Sequence, residues 1–213
     1  MPKTVSIIDD DPAVLDAVGL LLRTKGFNVV CHDSATAFLN AGFTPGCVIT
    51  DVRMPKMTGL DLLSVLKASN DLRPIVLLTA HGDIEMAMEA VRLGAFDFIE
   101  KPFKKERLLG AVQRALEASA KSTTEQMELA ELQKRYRTLT ERQKQTMQLL
   151  VQGLANKEIA ARLGISPRTV EIHRTWAMTK MGAASLADLV RISIQLGTLS
   201  VHMTQGSGNP HAP

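Results

Sequence analysis

The fold of this chain is decided by the stretch Cys47-Val48-Ile49-Thr50-Asp51-Val52-Arg53-Met54-Pro55. Residues 47–50 form a short run rich in β-branched side chains, which is typical of a strand buried inside a sheet. Asp51 closes the run, so its carboxylate projects from the carboxyl end of that strand. α/β sheets bind their ligands at this edge. The stretch therefore predicts an α/β fold with a carboxylate at its functional edge.

Working outward from this strand, Val/Ile/Leu-rich runs alternate with amphipathic stretches up to residue 116. Five repeats of strand and helix predict a parallel sheet that helices cover on both faces. Gly26 and Gly94 follow two of the helices and are expected to end them. We predict strands at 4–8, 28–31, 47–50, 74–79 and 96–100, and helices at 12–25, 34–41, 59–69, 83–93 and 104–117.

Charged side chains also follow the first and fifth predicted strands, as Asp9-Asp10-Asp11 and Lys101-Pro102. The carboxyl ends of parallel strands share one edge, so these residues are expected to meet Asp51 in one crevice. Neighbouring carboxylates repel one another unless a cation neutralises them. A site made of Asp10, Asp51 and a backbone carbonyl suits Mg²⁺, which keeps waters that a phosphate can displace.

A metal in this crevice would hold a phosphoryl donor in line with the Asp51 carboxylate. Lys101 and the Thr79 hydroxyl would meet the transferred oxygens. The predicted chemistry is formation of an aspartyl-phosphate on Asp51, with Mg²⁺ as the cofactor.

Other interpretations of these residues require different patterns. A lone Asp at a strand end is commonly a cap, and a lone Lys-Pro pair is commonly a loop. A dinucleotide site needs a Gly-rich turn after the first strand, where this chain has Asp-Asp-Asp-Pro. A haloacid-dehalogenase-like phosphatase, which would turn over a phosphorylated metabolite, has Asp-x-Asp-x-Thr/Val there, whereas this chain ends the pattern at Ala13. The joint arrangement favours a phosphoacceptor.

One known pattern is matched by Asp9 and Asp10 as an acidic pair, Asp51 as phosphoacceptor, Thr79 as switch hydroxyl, Phe98 as switch aromatic, Lys101 before Pro102, and the loop Met54–Gly59. With these residues, the segment 3–118 resembles the receiver domain of two-component response regulators. The resemblance implies a flavodoxin-like (βα)5 fold with sheet order 2-1-3-4-5 and a cis Lys-Pro bond. It also implies Mg²⁺ bound by Asp10, Asp51 and the backbone carbonyl of Arg53, with Asp9 acting through water.

Two positions in this segment need comment. Phe98 stands where many relatives carry Tyr, so a switch contact through a hydroxyl is not available here. Asp11 is an additional acid, and we predict that it caps the helix that begins at Pro12.

The composition of the chain indicates the cellular compartment in which it is expected. A hydrophobic content of 45% is enough to bury substantial cores. Cys31 and Cys47 lie singly in strand-like segments and are predicted to be small buried apolar residues, which fits a reduced cytosol. No apolar run approaches the roughly 18 residues that a membrane span needs, so we expect a cytoplasmic protein without a membrane anchor.

The net charge of +3 is unevenly distributed along the chain. Residues 1–116 carry 13 Lys and Arg against 14 Asp and Glu, residues 117–137 carry 4 against 4, and residues 138–213 carry 8 against 4. The basic excess lies in the last third, where a polyanionic partner is expected.

The residues after the α/β segment lose their strand signals. Residues 119–137 are polar, without Pro or Gly, and their sparse apolar residues predict a helical linker, with a loosely ordered connector as the alternative. The tail 201–213 is too polar to be ordered on its own. Four short helices in between are indicated by the stops Gly153, Gly164, Gly182 and Gly197, and by the start signals Thr140 with Gln143, Asn156, Ser166-Pro167, and Ser185 with Asp188.

Residues 156–174 predict a helix, a tight turn and a capped helix, which is a helix-turn-helix. Ile159, Ala160 and Leu163 would face inward on the first helix, and Val170, Ala177 and Met181 on the second. The residues that then face outward are Arg168, Glu171, Ile172, Thr175 and Thr179.

An exposed isoleucine beside a glutamate is unusual on a solvated face but suits a major groove, where apolar groups meet thymine methyls and Glu accepts from cytosine. Basic residues around that face would contact phosphates. A helical packing module with a charged surface is the alternative. The predicted DNA-binding residues are Lys157, Arg168, Thr169, Glu171, Ile172, His173, Arg174, Thr175 and Lys180.

The segment 138–198 resembles the LuxR/NarL-type DNA-binding domain, with markers at Leu139–Arg142, Gly153, Asn156–Ala160 and Ser166–Val170. A receiver followed by this module is similar to FixJ-type transcriptional regulators. Trp176 departs from that family, in which a polar residue is common at its position. We therefore expect a receiver at 1–118, a linker at 119–137, a DNA-binding domain at 138–200 and a disordered tail at 201–213.

The resemblance implies a transcription factor, and not an enzyme, whose partners are a cognate sensor histidine kinase, promoter DNA and RNA polymerase. Phosphorylation of Asp51 should draw Thr79 inward and let Phe98 turn in. We predict that it drives homodimerisation through the helix at 83–93 and the strand at 96–100, where Ile84, Met88 and Val91 form an apolar line. Packing of this line into the core is the alternative. A metabolic enzyme and a constitutive DNA-binding protein are the alternatives.

Overall fold

The computed structural model describes residues 4–80 and 84–199. The chain divides into two compact units between Thr124 and Glu125. The predicted disordered tail lies outside the described residues.

The first unit contains a five-stranded parallel sheet in the order 2-1-3-4-5, with strands numbered along the chain, which confirms the predicted fold. The three inner strands are buried along their whole length, as their near-continuous apolar sequences require. All five lie within one residue of the predicted bounds. They are β1 (Thr4–Ile8), β2 (Asn28–His32), β3 (Cys47–Asp51), β4 (Ile75–Thr79) and β5 (Asp97–Glu100).

Two hydrophobic cores cover the two faces of this sheet. Alternate strand residues such as Ile7 and Ile49 pack under the first and fifth helices, whereas Ile8 and Val48 pack under the second, third and fourth. The alternation follows from the period of two residues in a strand. The helices are α1 (Pro12–Thr24), α2 (Ala35–Asn40), α3 (Gly59–Ala68), α4 (Ile84–Arg92) and α5 (Lys105–Arg137).

The two cysteines differ. Cys47 is buried as predicted, and burial raises the pKa of its thiol to about 12. The prediction for Cys31 was wrong, because this residue is exposed. It lies on β2, an edge strand that is paired on one side only and is poorly covered.

Helix α5 has 33 residues and includes the whole predicted linker. The connection is therefore helical and not a loosely ordered segment. Its amino-terminal part is anchored by buried residues such as Leu108 and Val112, whereas the part that follows residue 119 is mostly exposed. None of the helices in the described part of the chain combines the length and the hydrophobicity of a transmembrane segment.

The second unit continues from α5 into α6 (Glu141–Val151), α7 (Asn156–Leu163), α8 (Pro167–Met181) and α9 (Leu186–Gln195). Thr140, Ser166 and Ser185 cap α6, α8 and α9 as predicted, each accepting a backbone N–H three residues on. The prediction for Asn156 was wrong, because Asn156 is the first helical residue and Ala155 precedes the helix. The Glu158 carboxylate accepts the Ala155 N–H instead, at 2.7 Å.

Candidate functional site

The carboxyl edge of the sheet carries a charged crevice, which we define as Asp9, Asp51, Thr79 and Lys101. The Lys101 ammonium donates to Asp9 Oδ2 at 2.9 Å and to Asp51 Oδ1 at 2.6 Å. Three strand ends therefore converge on one cation, although these residues lie 50 and 92 positions apart in the sequence. This is the convergence that the parallel sheet predicted.

Backbone groups hold both carboxylates in place. Asp51 Oδ2 accepts the Arg53 N–H at 2.6 Å, and Asp9 Oδ1 accepts the Asp11 N–H at 3.0 Å. The Lys101 N–H donates to the Thr79 carbonyl at 2.7 Å, and the Lys101-Pro102 peptide bond is cis. Each carboxylate is thus fixed by the turn that follows its own strand, whereas the backbone of Lys101 is fixed by the neighbouring strand β4.

The negative charges of the two carboxylates in the crevice are compensated by the positive charge of Lys101. Asp9 and Asp51 are buried, so each carboxylate needs a partner that compensates for lost hydration. Burial by itself would lower the pKa of Lys101, but its hydrogen bonds to Asp51 and Asp9 outweigh burial and raise that pKa. The lysine is therefore held as a cation between the two acids.

The other predicted crevice residues are placed differently from one another. Thr79 is buried at the end of β4, and its hydroxyl lies 3.8 Å from Met86 Sδ on α4. Phe98 is half-buried and packs against the core beneath α3 and α4. Asp10 is exposed and takes no part in the hydrogen bonds of Lys101. The acid that the structure brings against Asp51 and Lys101 is Asp9.

The donor set of the crevice fits Mg²⁺. This ion commonly binds through one or two carboxylates and keeps several waters, and the buried Asp9 and Asp51 supply carboxylates of this number here. Within residues 4–80 and 84–199, no three or more His, Cys, Asp or Glu side chains form a metal-binding group. A metal would therefore have to complete its shell with carbonyl oxygen and water.

Two contributors to this site were missed by sequence reasoning. Gly59 packs so closely that an added Cβ would lie 2.3 Å from the Asp51 carbonyl oxygen. Its place in the Met54–Gly59 loop was a signal that could have indicated such contact. Met86 approaches the Thr79 hydroxyl from α4, and no sequence pattern indicates that contact.

The helix-turn-helix has the two faces that its period predicts. Ile159, Ala160, Val170, Ala177 and Met181 are buried, and Leu163 packs against them. The residues predicted to face outward are all exposed: Arg168, Glu171, Ile172, Thr175 and Thr179.

The remaining predicted DNA contacts fall into two groups. Lys157 is exposed, whereas Thr169, His173, Arg174 and Lys180 are half-buried. Lys180 is engaged inside the domain, because its ammonium donates to the Thr138 carbonyl at 2.8 Å and to Gln143 Oε1 at 3.0 Å. It ties the end of α8 to the segment between α5 and α6.

A crevice of two buried carboxylates and a lysine on a (βα)5 sheet, followed along the chain by a helix-turn-helix, is typical of transcription regulators that respond to a signal. Two family models match the chain in agreement with this class. Residues 5–113 match the response regulator receiver domain, and residues 137–193 match the bacterial regulatory proteins of the luxR family.

Curated relatives extend over nearly the whole chain. The transcriptional regulatory protein FixJ of Azorhizobium caulinodans is 46% identical over 201 residues, which are 92% of this chain and 95% of the relative. The response regulator protein TodT of Pseudomonas putida is 42% identical over 196 residues, 91% of this chain and 86% of TodT.

Solved structures agree with these relatives. The response regulator StyR has a TM-score of 0.80 at 40% identity, with coverage of 90% of this chain and 98% of StyR. Full-length FixJ from B. japonicum has a TM-score of 0.56 at 42% identity, with coverage of 93% and 98%. This chain belongs to the FixJ type of two-component response regulators, and its function is to control transcription.

Proposed function

We propose that Asp51 is the residue phosphorylated by a cognate sensor histidine kinase. The observation that carries this proposal is the contact of its Oδ1 with Lys101 at 2.6 Å in a crevice shared with Asp9. The transferred phosphoryl group carries up to two negative charges, and a fixed ammonium beside the acceptor oxygen stabilises charge on that group. In this scheme the protein catalyses phosphoryl transfer to its own Asp51 and turns over no metabolite.

Mg²⁺ is the cofactor in this proposal. Asp51, the backbone carbonyl of Arg53 and Asp10 would bind it, and Asp9 would contribute through water. When bound, the ion neutralises charge on the phosphoryl group. Asp9 and Lys101 then keep the pocket ordered, and the Arg53 N–H holds Asp51 Oδ2.

The switch requires more than one interaction. A swing from 1:99 to 99:1 needs about 5.5 kcal/mol of differential free energy. One charged hydrogen bond from Thr79 supplies about 1.5–3 kcal/mol, so Lys101, Mg²⁺ and a dimer interface supply the rest. Thr79 moves toward the phosphoryl group, and Phe98 turns into the space that opens.

We assign dimerisation to α4 and β5. Ile84, Met88 and Val91 lie on one face of α4 and are 80%, 50% and 71% exposed. Core packing therefore does not account for this apolar line. Contiguous exposed apolar surface of this kind marks protein interfaces, and a second phosphorylated copy is the partner we propose.

The DNA-binding surface is the outward face of α8 together with nearby basic residues. Lys157 and Arg168 contact phosphates, with His173, Arg174 and Lys180 at its border, and Thr169, Glu171, Ile172 and Thr175 approach base edges. The exposure of Arg168, Glu171, Ile172 and Thr175 supports this assignment. The receiver domain spans residues 1–118, the linker 119–137 and the DNA-binding domain 138–200 in this proposal. Promoter DNA and RNA polymerase are its partners in the cytoplasm.

Phosphate incorporation tests the proposal directly. Wild-type protein incubated with acetyl phosphate and Mg²⁺ should gain one acid-labile phosphate by intact mass, and Asp51→Asn should gain none. Asp16→Asn, at an exposed acid on α1, is the matched control and should behave as wild type. Incorporation into Asp51→Asn at the wild-type rate would contradict the assignment.

Sedimentation tests the dimer. Protein treated with acetyl phosphate should double its mass, and Val91→Lys should stay monomeric while still incorporating phosphate. Leu20→Lys, at a similarly exposed apolar residue on α1, should still dimerise. An unchanged mass of the phosphorylated wild type would eliminate this interface.

A further inference from the structure

Two large apolar side chains lie side by side on the outward face of α8. Ile172 is 51% exposed and Trp176 is 53% exposed. They are four residues apart, which makes them neighbours on one face of a helix. We call this pair the apolar strip.

The apolar strip is not part of the domain core. Helix α8 packs through Val170, Ala177 and Met181, and neither Ile172 nor Trp176 belongs to the core cluster that the described residues of this unit form. Single exposed apolar residues are ordinary, but an adjacent pair that includes the only tryptophan of the chain indicates a contact surface.

The surroundings of the apolar strip favour duplex DNA as its occupant. Arg168 and Glu171 are exposed on the preceding turn of α8. Residues 138–213 carry 8 Lys and Arg against 4 Asp and Glu, which suits a polyanion more than an apolar protein surface. The Thr175 hydroxyl donates to the Glu171 carbonyl at 2.9 Å, so this nearby donor is already used within the helix.

We propose that Trp176, together with Ile172, determines base specificity by contacting the 5-methyl groups of thymines in the operator. Thymine is the base that presents a methyl group in the major groove. The four-residue spacing advances about 6 Å along the helix axis, which is close to two base-pair rises of about 3.4 Å each, so the two side chains reach different base pairs. This inference rests on the proposed DNA-binding function of α8 and adds the bases that it selects.

Replacement of thymine by deoxyuridine tests the strip, because it removes the methyl group and keeps every hydrogen-bonding group. Full-length protein treated with acetyl phosphate would first enrich duplexes from a random library. Each thymine of the enriched duplex would then be replaced singly by deoxyuridine and its affinity measured. At two positions within the stretch that one protomer contacts, wild-type affinity should fall by about fourfold, the effect of one buried methyl-sized group.

Variants then assign each position to a residue. Ile172→Ala should become indifferent to deoxyuridine at one position, and Trp176→Ala at the other. Ile194→Ala, at a similarly exposed isoleucine on α9, should keep the wild-type ratio between thymine and deoxyuridine at both. Because the readout is a ratio, a general loss of affinity does not imitate it.

The possible failures separate the two proposals. If no duplex is enriched, the DNA-binding function of this surface is overturned, and the inference with it. If a duplex is enriched but deoxyuridine binds as well as thymine everywhere, only the inference is overturned. Loss of dimer mass in Trp176→Ala with unchanged thymine discrimination would assign the strip to a second copy and also overturn it.

Discussion

The receiver crevice and the outward face of α8 are built by opposite means. The crevice draws charged groups from three distant strand ends into a buried site around Lys101. The outward face of α8 displays residues of one helix to solvent, with its structure fixed by a local cap and a local core face. A change in the sheet can therefore disturb the crevice, whereas the outward face of α8 depends on its own cap and on the packing of α8 within the second unit.

The largest expected effect breaks the crevice from the backbone. Gly59→Ala would place a Cβ 2.3 Å from the Asp51 carbonyl oxygen, and relief of this overlap should cost about 1–3 kcal/mol of unfolding free energy. It should also slow phosphate incorporation, because Asp51 moves. Chemical unfolding and intact-mass kinetics measure the two effects.

Gly110→Ala is the matched control for this change. An added Cβ at Gly110 has Arg114 as its nearest neighbour, at an ordinary 3.5 Å. Since alanine is favoured over glycine inside a helix, this variant should gain about 0.5–1 kcal/mol. Equal stability of the two variants would show that close packing at Gly59 does not fix the crevice.

The next effect is confined to α8. Ser166 Oγ accepts the Thr169 N–H at 3.1 Å, so Ser166→Ala should lower the stability of the second unit by about 1 kcal/mol. Ser166→Asp keeps an acceptor at the cap and should be close to wild type. Calorimetry of the full chain measures both, and phosphate incorporation should be unchanged. A lower rate of phosphate incorporation would contradict the independence of the two regions, because α8 would then influence the crevice.

A smaller effect depends on pH and tests the sheet itself. Asp97 on β5 has a lowered pKa, mainly because Arg107 on α5 donates to it, with further support from the Phe98 N–H and Arg114. A carboxyl whose folded pKa is depressed stabilises the protein above its unfolded pKa, and the benefit disappears as pH falls through the folded value.

Asp97→Asn should therefore lower stability at neutral pH by at most about 1 kcal/mol, because the arginines are largely exposed. The gap between variant and wild type should close on acidification toward pH 3. Urea unfolding at several pH values measures it. A gap that widens in acid would contradict the sign of this pKa shift.

The smallest expected effect on stability comes from substitutions on the outward face of α8. Trp176→Ala and Ile172→Ala remove exposed side chains, so each should change the unfolding free energy by no more than about 0.5 kcal/mol. Thermal unfolding by circular dichroism checks this. A loss of several kcal/mol would mean that the apolar strip packs within the protein.

Sequence reasoning succeeded where the physical rule is local or topological. Periodicity placed Val170 and Ala177 in the core and Ile172 at the surface, because one helix determines all three. The convergence of Asp51 and Lys101 followed from parallel strands alone. The helix period and the end of each strand can both be recognised in short stretches of sequence.

Details that depend on packing between elements were not predictable. Adjacent acids give no signal of which side chain is buried, and the structure buries Asp9 beside Lys101 and leaves Asp10 exposed. The exposure of Cys31 depends on β2 being an edge strand. The hydrogen bonds of Lys180 depend on a segment that lies 42 residues away.

The anchoring of Lys180 has a consequence for how this regulator can change over time. The ammonium fixes the last turn of α8 through Thr138 and Gln143, while the residues that would meet bases occupy the turns before it. The side chains that anchor α8 in the domain are thus different from those that would contact bases. New promoter preferences can arise by substitution at 168–176 while the attachment to the rest of the domain stays intact.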